Sequence, residues 1–219
     1  MTIGTVLFDL DGTLIDSIAL ILASYHHTLA AHGHPPVADA EWLRGVGTPL
    51  KVQLGPWARS PEELAALVAT YRSYNLEHHD RMVTVFPGVA ELVRRLGGAG
   101  YRLGVVTSKT REGTRRGLAL ARIEEWFSVL VCADDVIHPK PHRQPVDHAL
   151  QALAVEPATA LFVGDSIHDL HSGRAAGVRT GAALWGPFPR STLESGSPDY
   201  WFETPTALQA LLLDETTTP

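Results

Sequence analysis

Two aspartates stand two positions apart at the end of an apolar run near the N-terminus, in the stretch VLFDLDGTLIDS that begins at Val6. Side chains alternate along an extended segment, so the carboxylates of Asp9 and Asp11 can face the same small site. Two facing anions are stable only when a cation lies between them or a proton sits on one of them. Mg²⁺ prefers oxygen ligands and is often held by one or two carboxylates plus a phosphate. The pair therefore predicts a divalent-cation site, and Gly12 lets the chain turn sharply just beyond it.

Further chemically competent residues follow other apolar runs. Thr107 and Ser108 end the run RLGVVTS, Asp165 ends ALFVGD with Asp169 just beyond it, and Lys140 lies in a loop after a third run. Ligands of open α/β sheets collect at the carboxyl ends of the strands. We therefore expect these acids, hydroxyls and the lysine to converge with the N-terminal pair at one edge of a sheet.

The elements that must position these residues alternate between strand and helix. The predicted strands are near-continuously apolar, as in parallel sheets that are covered on both faces, and they span 5–9, 102–108, 128–132, 160–165 and 180–185. Helical patterns occupy the intervals at 88–100, 114–127, 144–154 and 169–177. This alternation predicts an α/β fold with a doubly wound parallel sheet.

One interval, from about residue 17 to about residue 84, shows helical patterns and no convincing strand. Its first helix has Asp16 or Ser17 as the predicted N-cap and Gly33 as the predicted stop. A second helix is predicted to open at Ser60, which is followed by proline and then by a glutamate three residues after the cap. The sequence thus predicts an all-helical insert after the first strand.

Composition narrows the range of functions. The formal charge of −6 argues against a nucleic-acid binder, which needs a basic face, and 45% apolar residues suffice for a real core. We find no signal peptide and no apolar run of about eighteen residues that could cross a bilayer. The single cysteine, Cys132, suits a reducing cytosol. These features predict a soluble, cytoplasmic protein without nucleic-acid or membrane partners, with a loose C-terminal tail, DETTTP.

The segments FDLDGTLIDS, VVTSK, KP at Lys140–Pro141 and VGDSIHDLHSGRAAG resemble, in order and spacing, the four motifs of the haloacid dehalogenase superfamily. The resemblance spans essentially the whole chain. It implies a Rossmann-like catalytic core formed by residues 1–16 and 85–219, with residues 17–84 as a helical cap domain. It also implies a Mg²⁺-dependent enzyme that acts on a small phosphorylated metabolite.

The resemblance assigns roles in phosphoryl transfer to the first two motifs. Asp9 would be the nucleophile that forms an aspartyl-phosphate. Asp11 would be the general acid toward the leaving group and then the base for water. Thr107 would hydrogen-bond the phosphoryl group with help from the Ser108 amide. A rival interpretation of Thr107 and Ser108, from the residues alone, is a helix N-cap pair.

The last two motifs supply the remaining implied roles. Lys140 would offset negative charge on the nucleophile and the phosphate. Asp165 would bind Mg²⁺ together with Asp9 and the backbone carbonyl of Asp11. Asp169 would support the water shell of the metal or orient Lys140.

The second aspartate also bears on the reaction. Dehalogenases of the superfamily lack it, so Asp11 favours hydrolysis of a phosphate ester or anhydride. The segments DGTLIDS and GDSIHDLHSGRAAG look most like phosphoglycolate phosphatases, whereas the segment at 70–89 and KPHRQPV look like their pyrophosphatase branch. Arg143 stands where that branch usually has proline. The sequence leaves open whether its side chain lies near the site or faces solvent.

Substrate selection is expected to reside in the cap, which would close on the site and exclude water. Gly47 could let a cap loop reach the bound phosphate, with Arg44 or Lys51 gripping the remote anion of the substrate. The histidine clusters YHHT, HGH and EHHD are predicted to be exposed on cap helices rather than to bind metal.

Two alternatives remain from the sequence. A phosphosugar mutase of the β-phosphoglucomutase type would share both aspartates of the first motif. A non-catalytic binder of Mg²⁺ and phosphate, or a receiver-like protein, would share the acidic cluster without needing Asp11 as a proton shuttle. Both a monomer and a homodimer are compatible with the sequence.

Overall fold

The computed structural model describes residues 2–214, without the side chain of Asp214, and contains a six-stranded parallel sheet and a separate two-stranded antiparallel pair. The strands are β1 (Thr5–Phe8), β2 (Ile15–Asp16), β3 (Thr84–Val85), β4 (Arg102–Val106), β5 (Val129–Val131), β6 (Ala160–Gly164), β7 (Arg179–Ala183) and β8 (Tyr200–Phe202). The large sheet has the order β5-β4-β1-β6-β7-β8. The predicted doubly wound parallel fold is therefore confirmed.

Ten α-helices lie in the described part of the chain. They are α1 (Ile18–Ala31), α2 (Asp39–Leu43), α3 (Leu50–Leu54), α4 (Pro61–Met82), α5 (Val89–Gly98), α6 (Arg111–Ala121), α7 (Gln144–Leu153), α8 (Ile167–Ala176), α9 (Arg190–Leu193) and α10 (Pro205–Asp214). The predicted helix at 114–127 is instead α6 followed by a short 3₁₀ turn at Glu124–Trp126. Five residues of the tail predicted to be loose, 215–219, lie outside the described residues, whereas Asp214 ends α10.

Strand β1 is one of the two central strands of the sheet, and its side chains alternate between two cores. Val6 pairs in register with Leu103 on β4 and with Leu161 on β6. Val6 and Phe8 pack in the core that includes α5 and α10, whereas Leu7 packs in the opposite core with α7. Because both faces are covered by helices, β1 is fully buried and delivers the following residue, Asp9, to a dry edge of the sheet.

Four helices, α1 to α4, follow the first strand and build a core of their own, in which the Tyr25 ring stacks on the Trp42 ring with centroids 4.2 Å apart. The Ser60 hydroxyl accepts a hydrogen bond from the Glu63 amide at 3.2 Å, which confirms the predicted N-cap of α4. The strand pair β2–β3 joins the ends of the insert, with Asp16 opposite Thr84, so Thr84 is in a strand that sequence patterns did not show. The division into a core of 1–16 and 85–219 and a cap of 17–84 stays a prediction.

None of the helices between residues 2 and 214 combines the length and the apolar character that a bilayer-spanning segment requires.

Candidate active site

Lys140 joins two buried acids at the carboxyl edge of the sheet. Its ammonium donates hydrogen bonds to Asp9 Oδ1 at 2.8 Å, to Asp169 Oδ1 at 2.6 Å and to the Val106 carbonyl at 3.2 Å. The side chains of Lys140 and Asp169 are 1% exposed and that of Asp9 is 5% exposed. Three donors on one ammonium thus meet three acceptors away from water, which satisfies the lysine completely. The contact with Asp169 supports the predicted orientation of Lys140 by that residue.

Electrostatics at this cluster follow from burial and from the shared lysine. Burial and, after it, the charge of Asp169 raise the pKa of Asp9 to about 7, although Lys140 opposes both effects. Burial also raises the pKa of Asp165 well above its usual range, assisted by the charges of Asp169 and Asp9. Burial lowers the pKa of Lys140, but the two carboxylates outweigh it and leave that pKa above its ordinary value. Lys140 is therefore a permanent cation, and the acids around it need more positive charge to be fully ionised.

Asp9, Asp165 and Asp169 could together hold a metal ion. One carboxylate oxygen from each lies within 4.8 Å of the others, and all three residues are buried. The Thr13 hydroxyl donates to Asp165 Oδ1 at 2.7 Å, whereas Asp165 Oδ2 is buried without a hydrogen-bond partner in the part of the chain that is described. A buried carboxylate oxygen without a donor is costly unless a cation uses it. Hard oxygen donors with this deficit of positive charge fit Mg²⁺.

The turn after β1 is shaped to leave Asp165 room. Gly12 has φ +88°, and a Cβ placed there would lie 2.4 Å from Asp165 Oδ2. Gly186 approaches from the other side, where a Cβ would lie 2.5 Å from the Asp165 Cβ. Side chains at either position would displace the carboxylate. The two glycines therefore let three segments meet at one oxygen cluster.

Asp11 has a separate cation, which sequence reasoning missed. The Lys109 ammonium donates to Asp11 Oδ1 at 2.9 Å and to Oδ2 at 3.1 Å, and the Ser17 hydroxyl donates to Oδ1 at 2.5 Å. Ser17 occupies the predicted N-cap position of α1, but its hydroxyl makes no capping bond because Asp11 engages it. The VVTSK motif contains this lysine, but nothing in the sequence indicates that Asp11 is its partner.

The predicted phosphate-binding pair of the second motif divides into two environments. The Thr107 hydroxyl accepts from the Lys109 amide at 3.2 Å and is buried at the edge of the sheet. The Ser108 hydroxyl donates to the Gly47 carbonyl at 2.7 Å, which ties the cap loop to the core. Neither residue caps a helix, because Thr110 is the N-cap of α6 and accepts from the Gly113 amide. The N-cap interpretation of Thr107 and Ser108 is therefore wrong.

The cap loop touches the core at Gly47, as its predicted reach requires. Gly47 has φ +95°, and a Cβ there would lie 2.9 Å from Ser166 Oγ and 3.3 Å from His168 Cδ2. This backbone conformation and the close approach both favour glycine. The loop between α2 and α3 therefore sits against the segments that carry Thr107 and Asp165.

A cavity of about 520 Å³ opens between the cap and the carboxyl edge of the sheet, with Asp9, Asp11 and Thr107 on its floor. Lys51 lines the cavity, and its contact with the substrate stays a prediction. Arg44 is exposed and is not among the lining residues, so its predicted contact with substrate lacks support. Arg72 on α4 also lines the cavity, although no sequence motif marked it.

Two further sequence questions are settled by position. Arg143 faces solvent, where its guanidinium pairs with Asp147 one turn along α7 at 2.6 Å.

His79, predicted to be exposed on a cap helix, is completely buried, so that prediction is wrong for this residue. Its Nδ1 lies 2.8 Å from Asp80, and burial lowers the pKa of His79. His79 is in the last turn of α4, and α6 covers it. A Cβ placed on Gly117 of α6 would lie 3.8 Å from His79 Nε2.

The parallel sheet, the buried acid–lysine cluster and the helical insert together define a hydrolase of the haloacid dehalogenase type. The model of the haloacid dehalogenase-like hydrolases matches residues 6–183, and the chain belongs to this family. It is 39% identical over 214 residues to proteins named pyrophosphatase PpaX from Bacillus cereus and Bacillus anthracis, with 98% of each chain covered.

Solved structures agree with this assignment. A candidate phosphoglycolate phosphatase from Lactobacillus plantarum is 28% identical and superposes with a TM-score of 0.86, covering 96% of this chain and 100% of its own. A subfamily IA hydrolase from Geobacter sulfurreducens is also 28% identical, with a TM-score of 0.70 and 96% of each chain covered. The predicted enzyme class, a phosphatase of the haloacid dehalogenase type, is confirmed by these relatives.

Proposed function

We propose that this chain is a Mg²⁺-dependent phosphatase that hydrolyses inorganic pyrophosphate through an aspartyl-phosphate on Asp9. The observation that carries the proposal is the buried Asp9 carboxylate, held by Lys140 at 2.8 Å on the floor of a cavity that the cap covers. A nucleophilic carboxylate needs a fixed direction and a neighbouring cation to meet an anionic phosphoryl group. Asp9 has both.

The chain supplies groups for each part of the reaction. One Asp9 oxygen attacks phosphorus while the bond to the leaving oxygen breaks. Lys140 offsets the charge on the nucleophile and on the phosphoryl oxygens, and the Thr107 hydroxyl is at hand to bind one of those oxygens. Asp11, on the same cavity floor, donates a proton to the leaving group and then takes one from the water that attacks the aspartyl-phosphate.

Asp9 and Asp165 would hold the metal, with the Asp11 carbonyl as a further ligand, and Asp169 would stabilise the site through Lys140. Mg²⁺, when bound, would supply the positive charge that neutralises the phosphoryl oxygens. The unpartnered Asp165 Oδ2 and the raised pKa values of Asp9 and Asp165 support this assignment. Each is the signature of a site that lacks positive charge until a cation binds.

Pyrophosphate is the preferred substrate in this proposal because the more similar named relatives, at 39% identity, are pyrophosphatases. The candidate phosphoglycolate phosphatase, at 28% identity, makes phosphoglycolate the second candidate. Three cations line the cavity and could attract the negative charge of a second phosphate group: Lys109, Lys51 and Arg72. The substrate is thus a small phosphorylated metabolite, and the cytoplasmic location stays a prediction.

A substrate panel tests the proposal. Release of inorganic phosphate from pyrophosphate, phosphoglycolate and a hexose phosphate is measured with Mg²⁺ and with a chelator. We expect Mg²⁺-dependent turnover with kcat/KM for pyrophosphate at least about tenfold above that for phosphoglycolate. A preference for phosphoglycolate would overturn the substrate. Isomerisation of the hexose phosphate would indicate a mutase, and an acyl-phosphate that forms without turnover would indicate a receiver-like protein.

A further inference from the structure

The cavity is larger than pyrophosphate requires. Pyrophosphate has nine heavy atoms, which would fill only about 270 Å³ even if each took the full share of a liquid water molecule, about 30 Å³. The cavity has about 520 Å³. Its size is not that of a lifted cap, because the Gly47 carbonyl already accepts a hydrogen bond from Ser108 and Gly47 already lies against Ser166.

Part of the lining on the cap side consists of apolar and aromatic side chains, which lie among polar ones such as Lys51 and Arg72. The apolar and aromatic side chains come from α1, α3, α4 and the loop before α3, and they are Ile21, Tyr25, Val46, Leu50, Tyr71 and Leu76. We call this set the apolar cap wall. Apolar surface of this kind can bury an uncharged ring, whereas Lys51, Arg72 and Lys109, which line the same cavity, can meet a second phosphate. Glu112 and Asp134 also line the cavity and would repel further negative charge.

The apolar cap wall is rigid as well as apolar. The ring of Tyr25 stacks on Trp42 with an interplanar angle of 4°, and the Tyr71 ring lies 4.8 Å from the Tyr25 ring. Tyr25 and Tyr71 are both buried, so their positions do not depend on a ligand. A preformed wall binds a ring at a lower cost in conformational entropy than a mobile one.

We infer that the site also hydrolyses organic phosphate monoesters whose leaving group is an uncharged alcohol that carries an apolar ring, seated against the apolar cap wall. The inference rests on the proposed aspartyl-phosphate chemistry but not on pyrophosphate as the substrate. Asp9 forms a bond to phosphorus as the ester bond breaks, and the alcohol departs with a proton from Asp11. Water then displaces the Asp9 oxygen, giving inorganic phosphate and returning a proton to Asp11.

Benzyl phosphate and methyl phosphate form a matched pair for the test, because both leave as primary alcohols of similar basicity and differ in the ring. We expect kcat/KM for benzyl phosphate to exceed that for methyl phosphate by about tenfold or more, the gain that burial of a ring can give. Leu50→Asn and Leu76→Asn should bring this ratio toward one. Val52→Asn is the matched control, since Val52 lies on the same helix α3 but is 61% exposed and does not line the cavity.

Binding separates this inference from the proposed function. Dissociation constants of benzylphosphonate and methylphosphonate, which are not hydrolysed, are measured by calorimetry in the presence of Mg²⁺. Tighter binding of the benzyl compound by about tenfold supports the apolar cap wall even if no phosphate compound is turned over, an outcome that would overturn only the proposed function. Equal binding of the two phosphonates, or a ratio that Leu50→Asn and Val52→Asn lower equally, overturns the inference while pyrophosphate hydrolysis could still stand.

Discussion

The floor of the cavity is lined by buried charged residues, whereas its cap side is lined mainly by apolar and aromatic residues. On the floor, Lys140 and the acids around it are buried and charged, and each Lys140 contact is 3.2 Å or shorter. On the cap side, apolar and aromatic residues predominate, and the cations Lys51 and Arg72 are exposed. The floor can therefore fix reacting atoms, whereas the cap side can select by shape and apolar contact. Chemistry and selection are separable here, and single substitutions should affect one more than the other.

The largest effect should come from Asp9→Asn, which removes the proposed nucleophile and leaves the cap side untouched. The amide keeps the volume of the carboxylate and an oxygen acceptor for Lys140 but cannot form an acyl-phosphate. We expect kcat to fall by about 10⁴-fold or more, with the melting temperature maintained. Phosphate release and thermal unfolding measure the two quantities. Activity within about tenfold of the native value would place the nucleophile elsewhere.

Lys140→Met should affect stability as well as activity, because it leaves Asp9 and Asp169 buried without their cation. Breaking a buried ion pair in this way costs about 3–5 kcal/mol, and we expect such a loss in the unfolding free energy measured in denaturant with a chelator present. Lys109→Met is the matched control. The side chains of Lys109 and Asp11 are 11% and 17% exposed, and Asp11 keeps the Ser17 hydroxyl, so that loss should be smaller, about 1–3 kcal/mol.

The stability loss in Lys140→Met should also depend on pH. Folding raises the pKa of Asp9 to about 7 even with Lys140 present, and the pKa would rise further without it. A carboxyl group of this kind stabilises the fold at low pH and loses that contribution as pH rises through its folded pKa. The loss should therefore be larger at about pH 8 than at about pH 5, and the reverse order would contradict the charge balance described for the floor.

Lys109→Met removes the cation that lies beside Asp11. Arg44→Ala removes a cation that the sequence suggested as a substrate contact. Without Lys109, Asp11 keeps only the Ser17 hydroxyl, so its carboxylate is less well placed for proton transfer. We expect kcat for pyrophosphate to fall by about 10- to 100-fold. Arg44→Ala should leave kcat and KM within about twofold, since surface substitutions rarely matter. A large rise in KM for Arg44→Ala would restore the sequence prediction.

The smallest effect should come from Asp80→Asn at the junction of α4 and α6. Arg116 pairs with both Asp80 oxygens, at 2.8 and 3.0 Å, and chiefly this contact lowers the pKa of Asp80 to about 2. Because the pair is exposed, we expect Asp80→Asn to lower the free energy of unfolding by only about 0.5 kcal/mol. A carboxyl group whose pKa is lowered by folding stabilises the folded protein at pH values above its unfolded pKa. That contribution is lost as the pH falls toward about 2. The difference from the native protein should be present at about pH 6 and smaller at about pH 3.

Sequence patterns were sufficient for strands that lie in longer apolar runs. The five predicted strands are apolar throughout because helices cover both faces of the sheet, and all five are present. Strand β8 was not predicted, although β5 at the opposite edge has the same length and burial, because its run YWF stands between Asp199 and Glu203, whereas β5 lies in the longer run SVLVC. The pair β2–β3 was not predicted, because each strand has only two residues and their pairing joins positions far apart in the chain.

For the site, the motifs indicated the residues but not their partners. Asp9, Asp165 and Asp169 could be predicted to converge because strands of a parallel sheet end at one edge. The pairing of Lys109 with Asp11 could not, because it depends on how far a flexible side chain reaches from the loop after β4. Arg44 and Lys51 looked equivalent in sequence, and only the packing of the cap decides which of them lines the cavity.

The central claim is a transient bond between phosphorus and Asp9 on the cavity floor. A crystal structure of the protein with beryllofluoride and Mg²⁺ tests it most directly, since beryllofluoride mimics a phosphoryl group on a carboxylate. We predict beryllium bonded to an Asp9 oxygen, with the magnesium ion contacting Asp9 and Asp165. Beryllofluoride attached to any other side chain would contradict the account.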